Sequence, residues 1–220
     1  MNKKRIALVT ETGNGLGKTF ANILCNEGLE VILAAKSESY KELVKSSDYR
    51  DEFNLIETDF TSDASVEKLK THIYQIYGRL DVLVNNAEIA NGFGQKIEYI
   101  NLKEVKELYE ENLFSVIRVI KTLYPLLLKS QSANIVNITS ALGSQVKMKD
   151  KTFCYTDYQM TAYSTAKAAL DMLTVLLAKE LKHTNISINS FDPVLMKNSS
   201  HNSVIICKKT KQHFLKYVLP

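Results

Sequence analysis

The sequence contains few of the residues that cross-link small proteins or bind metals in them. Its three cysteines, Cys25, Cys154 and Cys207, are odd in number and far apart, so they fit neither a disulfide framework nor a metal site. The four histidines are scattered in the same way. We therefore expect no metal site. The length of 220 residues is enough for a single domain with a sizeable hydrophobic core.

Long hydrophobic runs and a basic stripe rich in aromatic residues are also missing. No apolar stretch is long enough to span a bilayer, and the run 6–10 is too short for the core of a secretion signal. The net charge of +4 indicates a lysine-rich surface, whereas nucleic-acid binding would require basic residues interleaved with aromatic ones. These absences predict a cytoplasmic protein with no membrane and no nucleic-acid partner.

Short apolar runs alternate with longer stretches of helical periodicity. The runs predict six strands, at 6–10, 31–35, 53–57, 80–84, 134–139 and 186–191. Between them lie helical patterns, including a long amphipathic helix over about 102–128, and a polar loop over 144–158. This alternation predicts an α/β fold with a doubly wound parallel sheet of the Rossmann type.

The pattern weakens after Pro193. We predict one dinucleotide-binding and catalytic domain over residues 1–198. Residues 199–220 are then a divergent or truncated basic tail, with one basic helix between His201 and Tyr217 and without the last strand of the sheet.

A glycine-rich turn, the segment 10–17 (TETGNGLG), separates the first strand from the first helix. Glycines at this place let the backbone turn sharply and let a pyrophosphate approach the helix N-terminus. The strict G-x-G-x-x-G pattern fails here, because Lys18 and Phe20 occupy the positions of the third glycine. Taken alone, the turn could equally be an ordinary tight turn.

Polar motifs follow the predicted strands in a definite order. They are Asp59-Phe60, the segment 85–88 (NNAE), Asn112 in the long helix, Ser140 after the fifth strand, Tyr163-x-x-x-Lys167, and Pro193. The Tyr-x-x-x-Lys spacing alone is weak evidence, because Tyr99 and Lys103 repeat it elsewhere in the chain. Together with the glycine-rich turn, this order resembles the short-chain dehydrogenases/reductases over residues 4–198.

The resemblance implies a reaction centre, a cofactor site and an assembly. The implied catalytic residues are Asn112, Ser140, Tyr163 and Lys167. The candidate cofactor-binding residues are Thr10, Gly13, Gly15, Leu16, Gly17, Lys36, Asp59, Phe60, Asn86, Ala87, Tyr163, Lys167 and Pro193. The substrate would be a small carbonyl compound or alcohol. The long helix and the helix after Tyr163 resemble those that pair subunits in this family, which implies a homodimer or homotetramer.

The residue types suit hydride-transfer chemistry. Tyr163 and Lys167 lie one helical turn apart, and a nearby ammonium favours the ionised tyrosine. Tyr163 can then give a proton to a carbonyl oxygen, or take one from an alcohol. Ser140 can hydrogen-bond the same oxygen, although it could instead cap a turn. By resemblance, Lys167 also holds the nicotinamide ribose and Asn112 helps to order a water; otherwise Asn112 would be a solvent-facing helix residue.

The end of the second strand carries information on the cofactor. An acidic residue there would bind the ribose 2′-OH and repel a 2′-phosphate. The sequence has Ala35 at the usual acidic position and then Lys36, which can attract a phosphate. This favours NADP over NAD, unless Lys36 merely begins a loop.

Four residues depart from the family's motifs. Glu11, Glu88 and Val194 replace glycines, and Asn198 stands where the family often has a threonine. A side chain at a glycine position with positive φ adds steric strain, and the two carboxylates bring negative charge near the expected phosphates unless they turn into water. Two functions therefore stay open. One is an active NADP(H)-dependent oxidoreductase, and the other is a degenerate or truncated member that binds cofactor poorly and acts, if at all, through protein contacts.

Overall fold

The computed structural model describes residues 4–13, 15–45, 53–86, 89–94, 96–193 and 208–219, with the backbone alone for 208–210. Its strands are β1 (Ile6–Thr10), β2 (Glu30–Ala35), β3 (Phe53–Glu57), β4 (Val82–Asn85), β5 (Ala133–Ile138) and β6 (Ile186–Phe191). Its helices are α1 (Gly15–Asn26), α2 (Ser37–Lys45), α3 (Asp63–Tyr77), α4 (Leu102–Tyr109), α5 (Ser115–Leu127), α6 (Gln145–Lys149), α7 (Thr161–Glu180) and α8 (Lys208–Val218).

The strands form one parallel sheet in the order β3-β2-β1-β4-β5-β6. Every residue of β1 and β5 is buried, as expected for strands covered by helices on both faces. One hydrophobic cluster includes side chains of α3, α5 and α7, and a second includes side chains of α1 and α8. The predicted doubly wound α/β fold is confirmed, and the predicted strands differ from the observed ones by no more than two residues at an end.

The strand order reverses between β1 and β4, which creates the crevice where ligands bind in such sheets. Thr10 pairs with Ala34, and Val9 pairs with Val84. The carboxyl ends of β1, β2 and β4 therefore lie level with one another. The segments that follow these three strands meet at one edge of the sheet.

The predicted long helix 102–128 is interrupted. A π-helical turn, Glu110–Phe114, separates α4 from α5. The turn inserts an extra residue into the helical repeat and changes the direction in which the following side chains point. Likewise, the predicted polar loop 144–158 contains the short helix α6, whose first turn is capped by the Ser144 hydroxyl accepting from Lys147 N.

The segment beyond residue 207 contributes to the core. Phe214 and Val218 of α8 are fully buried, and the Phe214 ring lies 4.6 Å from that of Phe20 and 5.4 Å from that of Phe191. Arg5 ties the end of α8 to the sheet by donating to the Val218 carbonyl at 2.5 Å. The division of the chain at residue 198 stays a prediction, because residues 194–207 lie outside the described ranges. Of the helices described, none is both long and apolar enough to cross a membrane.

Candidate active site

Helix α7 brings Tyr163 and Lys167 to the carboxyl end of β5. Both side chains are buried, Lys167 completely. The Lys167 Nζ donates a 3.0 Å hydrogen bond to the carbonyl of Ile138, the last residue of β5, and lies 5.7 Å from the centre of the Tyr163 ring. Burial of an ammonium costs free energy unless the ammonium has a hydrogen-bond partner. The Ile138 carbonyl is such a partner, and this hydrogen bond holds the Lys167 side chain beside Tyr163.

Ser140 follows β5 by two residues and is also buried. Its Oγ accepts from Leu142 N at 3.3 Å and so caps the 3₁₀ turn Ala141–Gly143. A serine hydroxyl keeps its own hydrogen while it accepts, so Ser140 can still donate to a substrate oxygen. The cap and the proposed catalytic role are therefore compatible.

Gly143, which is not among the residues predicted from the sequence, fixes the distance between this turn and α7. A Cβ on Gly143 would lie 2.7 Å from Ala168 N and 2.9 Å from the Lys167 carbonyl carbon. No larger residue fits without moving the α7 backbone at Lys167. The sequence signal that could have predicted its role is a glycine three residues after Ser140, in the segment that leads from β5 to α7.

Asn112 lies inside the π-helical turn and is fully buried, so the alternative of a solvent-facing residue is wrong. Its Nδ2 donates to the carbonyls of Ile89 at 2.9 Å and Leu108 at 3.0 Å, and its Oδ1 accepts from Ile89 N at 3.3 Å. The side chain thus clamps the segment after β4 to the helix. Among the described residues, Ile89 N is the donor to Oδ1, and an amide oxygen has a second lone pair that can accept from a water.

The glycine-rich turn interlocks with the segment after β4. The Thr10 hydroxyl accepts from Asn86 N at 3.1 Å, and Asn86 Nδ2 donates to the Glu11 carbonyl at 3.0 Å. A Cβ on Gly17 would lie 2.7 Å from Thr12 Cα and 2.9 Å from Asn86 Nδ2. Glycine is therefore required at position 17 for α1 to begin so close to the turn.

The other glycine-turn candidates differ in what they contact. A Cβ on Gly13 would overlap the Ser39 side chain, at 2.1 Å from its Oγ, so this glycine allows α2 to approach the turn. Gly15 is exposed at the start of α1. Leu16 packs against the second hydrophobic cluster, which leaves its backbone as the part that can face a ligand.

Glu11 has a φ of 51° and is the one non-glycine residue with positive φ in the described part of the chain. This explains why the family has glycine at its position, because a side chain in this conformation is strained. The carboxylate does not turn into water. Its Oε1 atom is buried without a hydrogen bond from any described residue, and its side chain is 17% exposed.

The surroundings of Glu11 raise the pKa of its carboxyl to about 7. Burial is the largest cause, and it is opposed by the nearby Lys36 ammonium. The negative charges of Glu111 and Asp59 raise the pKa further. Glu11 is therefore partly protonated at neutral pH.

Lys36 is held between two carboxylates. It forms a close ion pair with Glu111, and its Nζ lies 3.8 Å from Glu11 Oε1. Glu111 lies 75 residues away in the π-helical turn, and no sequence motif marks it as a partner of Lys36. Lys36 immediately precedes α2, and its ammonium pairs with two carboxylates, so it does more than begin a loop.

Asp59 and Phe60 follow β3. Asp59 is exposed, and its carboxylate accepts from the Thr61 hydroxyl and backbone N–H at 2.8 and 2.9 Å, which hold its pKa below the usual range. The Phe60 ring is buried in the first hydrophobic cluster, so only the backbone of this residue can face a cofactor.

The remaining candidates lie at the same edge or outside the described ranges. Pro193 is buried at the end of a described range. Ala87, Glu88, Val194 and Asn198 lie outside those ranges. Asn86 Oδ1 and Thr58 Oγ1 are buried without a hydrogen-bond partner among the described residues. Polar atoms of this kind, beside a close approach at Gly17, fit a polar ligand such as a dinucleotide.

Comparison with known proteins identifies the family. The model of the short chain dehydrogenase family matches residues 5–205. An uncharacterized oxidoreductase of Staphylococcus aureus is 29% identical over 189 residues, which are 86% of this chain and 77% of that protein.

Two solved structures are similar along most of the chain. The ligand-free aldohexose dehydrogenase of Thermoplasma acidophilum is 28% identical with a TM-score of 0.69, over 86% of this chain and 65% of that one. The NADP active-site complex of Pseudomonas aeruginosa RhlG is 31% identical with a TM-score of 0.69, over 84% of this chain and 70% of that one. The chain therefore belongs to the short-chain dehydrogenase/reductase family, whose members are NAD(P)-dependent oxidoreductases.

Proposed function

We propose that this chain is an NADP(H)-dependent oxidoreductase that interconverts a small carbonyl compound and an alcohol, with Tyr163 as the proton donor and acceptor. The observation that carries the proposal is the buried Lys167 beside Tyr163, anchored to the Ile138 carbonyl two residues before Ser140. Within the described residues, these groups gather at the carboxyl end of β5.

Each residue has a defined part in carbonyl reduction. The bound dinucleotide supplies a hydride for the carbonyl carbon. Tyr163 gives its hydroxyl proton to the carbonyl oxygen, and Ser140 donates a hydrogen bond to the same oxygen as negative charge develops on it. The Lys167 ammonium stabilises the tyrosinate that remains and would also hold the nicotinamide ribose. Asn112 would order the water through which Tyr163 regains a proton.

The preference for NADP is proposed from the end of β2. Ala35 offers no carboxylate to a ribose 2′-OH, and Lys36 offers an ammonium to a 2′-phosphate. Support comes from the relative of Pseudomonas aeruginosa, which was solved with NADP.

The second candidate function, a degenerate member with weak cofactor binding, is favoured by Glu11. A strained residue with a buried carboxylate lies where the family has a glycine. If that carboxylate excluded the cofactor altogether, the fold would remain and the chemistry would not.

NADPH titration separates the two functions. We expect protein fluorescence or NADPH fluorescence to give a saturable dissociation constant in the micromolar range or below. We further expect the protein to oxidise NADPH when it is mixed with a panel of small aldehydes and ketones. If NADPH binds saturably but is not oxidised with any compound of the panel, the proposed substrate class is wrong. If NADPH does not bind at all, the second candidate function, a degenerate member, is favoured.

The outward faces of α5 and α7 support the proposed homo-oligomer. They expose large apolar side chains, namely Ile117, Met172, Val175 and Leu176, which are 38 to 58% exposed. Phe114, at the end of the π-helical turn, adds to this surface with 47% exposure. An apolar surface of this kind on a single subunit is typical of a subunit interface.

We expect the wild-type protein to be a dimer or tetramer by light scattering at micromolar concentration. Leu176→Glu should make it monomeric, because it places a charge in the interface. Val146→Glu is the matched control, since Val146 is 80% exposed on α6 and should leave the assembly intact. A monomeric wild-type protein would contradict the proposed assembly.

A further inference from the structure

Four charged side chains from four segments lie together at the carboxyl edge of β1, β2 and β3. Glu11 follows β1, Lys36 follows β2, Asp59 follows β3 and Glu111 belongs to the π-helical turn. Lys36 pairs with both Glu11 and Glu111, and the charge of Asp59 acts on both Glu11 and Lys36. When all four are ionised, three carboxylates face one ammonium, so the cluster is negative.

The charge of this cluster depends mainly on Glu11. Asp59 is exposed and its ionised form is stabilised by two hydrogen bonds from Thr61. Glu11, in contrast, has a buried oxygen that accepts no hydrogen bond from the described residues, and its carboxyl pKa is about 7. Glu11 thus changes charge near neutral pH.

We propose that Glu11 sets the choice between the 2′-phosphorylated and the unphosphorylated dinucleotide through its ion pair with Lys36. Ionised Glu11 competes for the Lys36 ammonium and repels a 2′-phosphate. Protonated Glu11 removes one of the two carboxylates that hold Lys36, so a 2′-phosphate then competes with Glu111 alone for this ammonium. The inference rests on the proposed function, since it assumes that the dinucleotide binds along this edge.

The direction of the pH dependence follows from the charges. As the pH rises through 7, Glu11 loses its proton and NADPH should bind more weakly, while NADH has a neutral 2′-OH and should be affected little. The 2′-phosphate itself gains charge as the pH rises through about 6, which would by itself strengthen its pairing with Lys36. With rising pH, ionisation of Glu11 weakens NADPH binding and ionisation of the 2′-phosphate strengthens it, so the direction of the change in affinity distinguishes the two effects.

The test compares the dissociation constants of NADPH and NADH, measured by fluorescence titration from pH 6 to pH 8.5. The protonated fraction of a group with a pKa near 7 falls from about nine-tenths at pH 6 to about one-tenth at pH 8. The preference of the wild-type protein for NADPH should therefore fall by up to about tenfold between pH 6 and pH 8. In Glu11→Gln the preference should stay constant or rise, and at pH 8 this variant should bind NADPH about tenfold more tightly than the wild type does.

Two further variants test whether the pH dependence of the cofactor preference comes from this cluster of charged side chains. Glu111→Gln removes a charge that raises the pKa of Glu11, so it should shift the transition to lower pH without abolishing it. Lys36→Gln should remove both the preference for NADPH and most of its pH dependence. Circular dichroism checks that each variant is folded.

The outcomes separate this inference from the proposed function. If wild type and Glu11→Gln bind NADPH with the same pH dependence, Glu11 does not control the choice, although the protein can still be an oxidoreductase. If neither protein binds NADPH or NADH at any pH, the proposed function fails and the inference fails with it.

Discussion

Replacing Tyr163 with phenylalanine should lower kcat for carbonyl reduction by about 10²–10⁴-fold, because the change removes the proton that the hydroxyl transfers. The ring itself is retained, so the packing around this buried side chain should survive. The dissociation constant for NADPH should change by no more than about twofold, since the ribose contact proposed for Lys167 does not involve the Tyr163 hydroxyl. Stopped-flow measurement of NADPH oxidation, together with fluorescence titration, gives both quantities.

Tyr99→Phe is the matched control. Tyr99 has the same spacing to Lys103 as Tyr163 has to Lys167, but its side chain is 71% exposed and it follows no strand that ends in a serine. It should leave both kcat and the dissociation constant unchanged. Similar losses in the two variants would show that the reaction does not use Tyr163 as its proton donor.

The sheet could be predicted from the sequence because each strand is a short apolar run between polar turns. Strands such as β1 are buried on both faces, so their sequences are nearly continuous apolar runs, and the polar Thr10 comes only at the end of β1. The positions of Ser140, Tyr163 and Lys167 followed from their order along the chain, and the structure brings all three to the end of β5. Their catalytic roles stay predictions until the variants are measured.

The partners of Lys36 could not be predicted in the same way. Glu111 reaches Lys36 from a π-helical turn in a stretch that reads as one continuous helix, and helical periodicity does not reveal where an extra residue is inserted. The contact between Gly13 and Ser39 depends on how α2 packs on the turn, which no local pattern encodes. Sequence alone therefore showed Lys36 as a residue that can attract a phosphate, and the fold shows it paired with Glu11 and Glu111.

For Glu11, the backbone strain expected from the sequence is present in the structure, but its carboxylate is buried and does not turn into water. A positive φ was the reason to expect strain in a side chain that replaces a glycine, and the φ of 51° confirms it. The alternative for the carboxylate was to turn into water, but its Oε1 is buried beside Lys36. Glu11 therefore destabilises the folded protein in two ways. One is the strain of its left-handed backbone, here called the backbone cost, and the other is the burial of its ionised carboxylate, here called the charge cost.

The charge cost should appear as a pH-dependent gain in stability when Glu11 is replaced by glutamine. The Glu11 pKa of about 7 in the folded protein exceeds an ordinary glutamate pKa of about 4.3, so the folded state binds the proton more tightly than the unfolded state does. The stability that this proton confers is present below about pH 4 and is lost as the pH rises through 7. Glu11→Gln should therefore exceed the wild type by about 1 kcal/mol at pH 5 and about 3 kcal/mol at pH 8.

Glu11→Gly separates the backbone cost from the charge cost. It removes the same carboxylate and also relieves the left-handed strain, which costs about 1 kcal/mol at any pH. Urea unfolding at pH 5 and pH 8 should therefore show Glu11→Gly above Glu11→Gln by a constant amount, and both above the wild type by an amount that grows with pH. Glu38→Gln, an exposed change at the start of α2, should shift the unfolding free energy by less than about 0.5 kcal/mol at either pH. Equal stability of wild type and Glu11→Gln at both pH values would mean that the carboxylate is solvated in solution, and the proton-dependent choice of cofactor would then lose its physical basis.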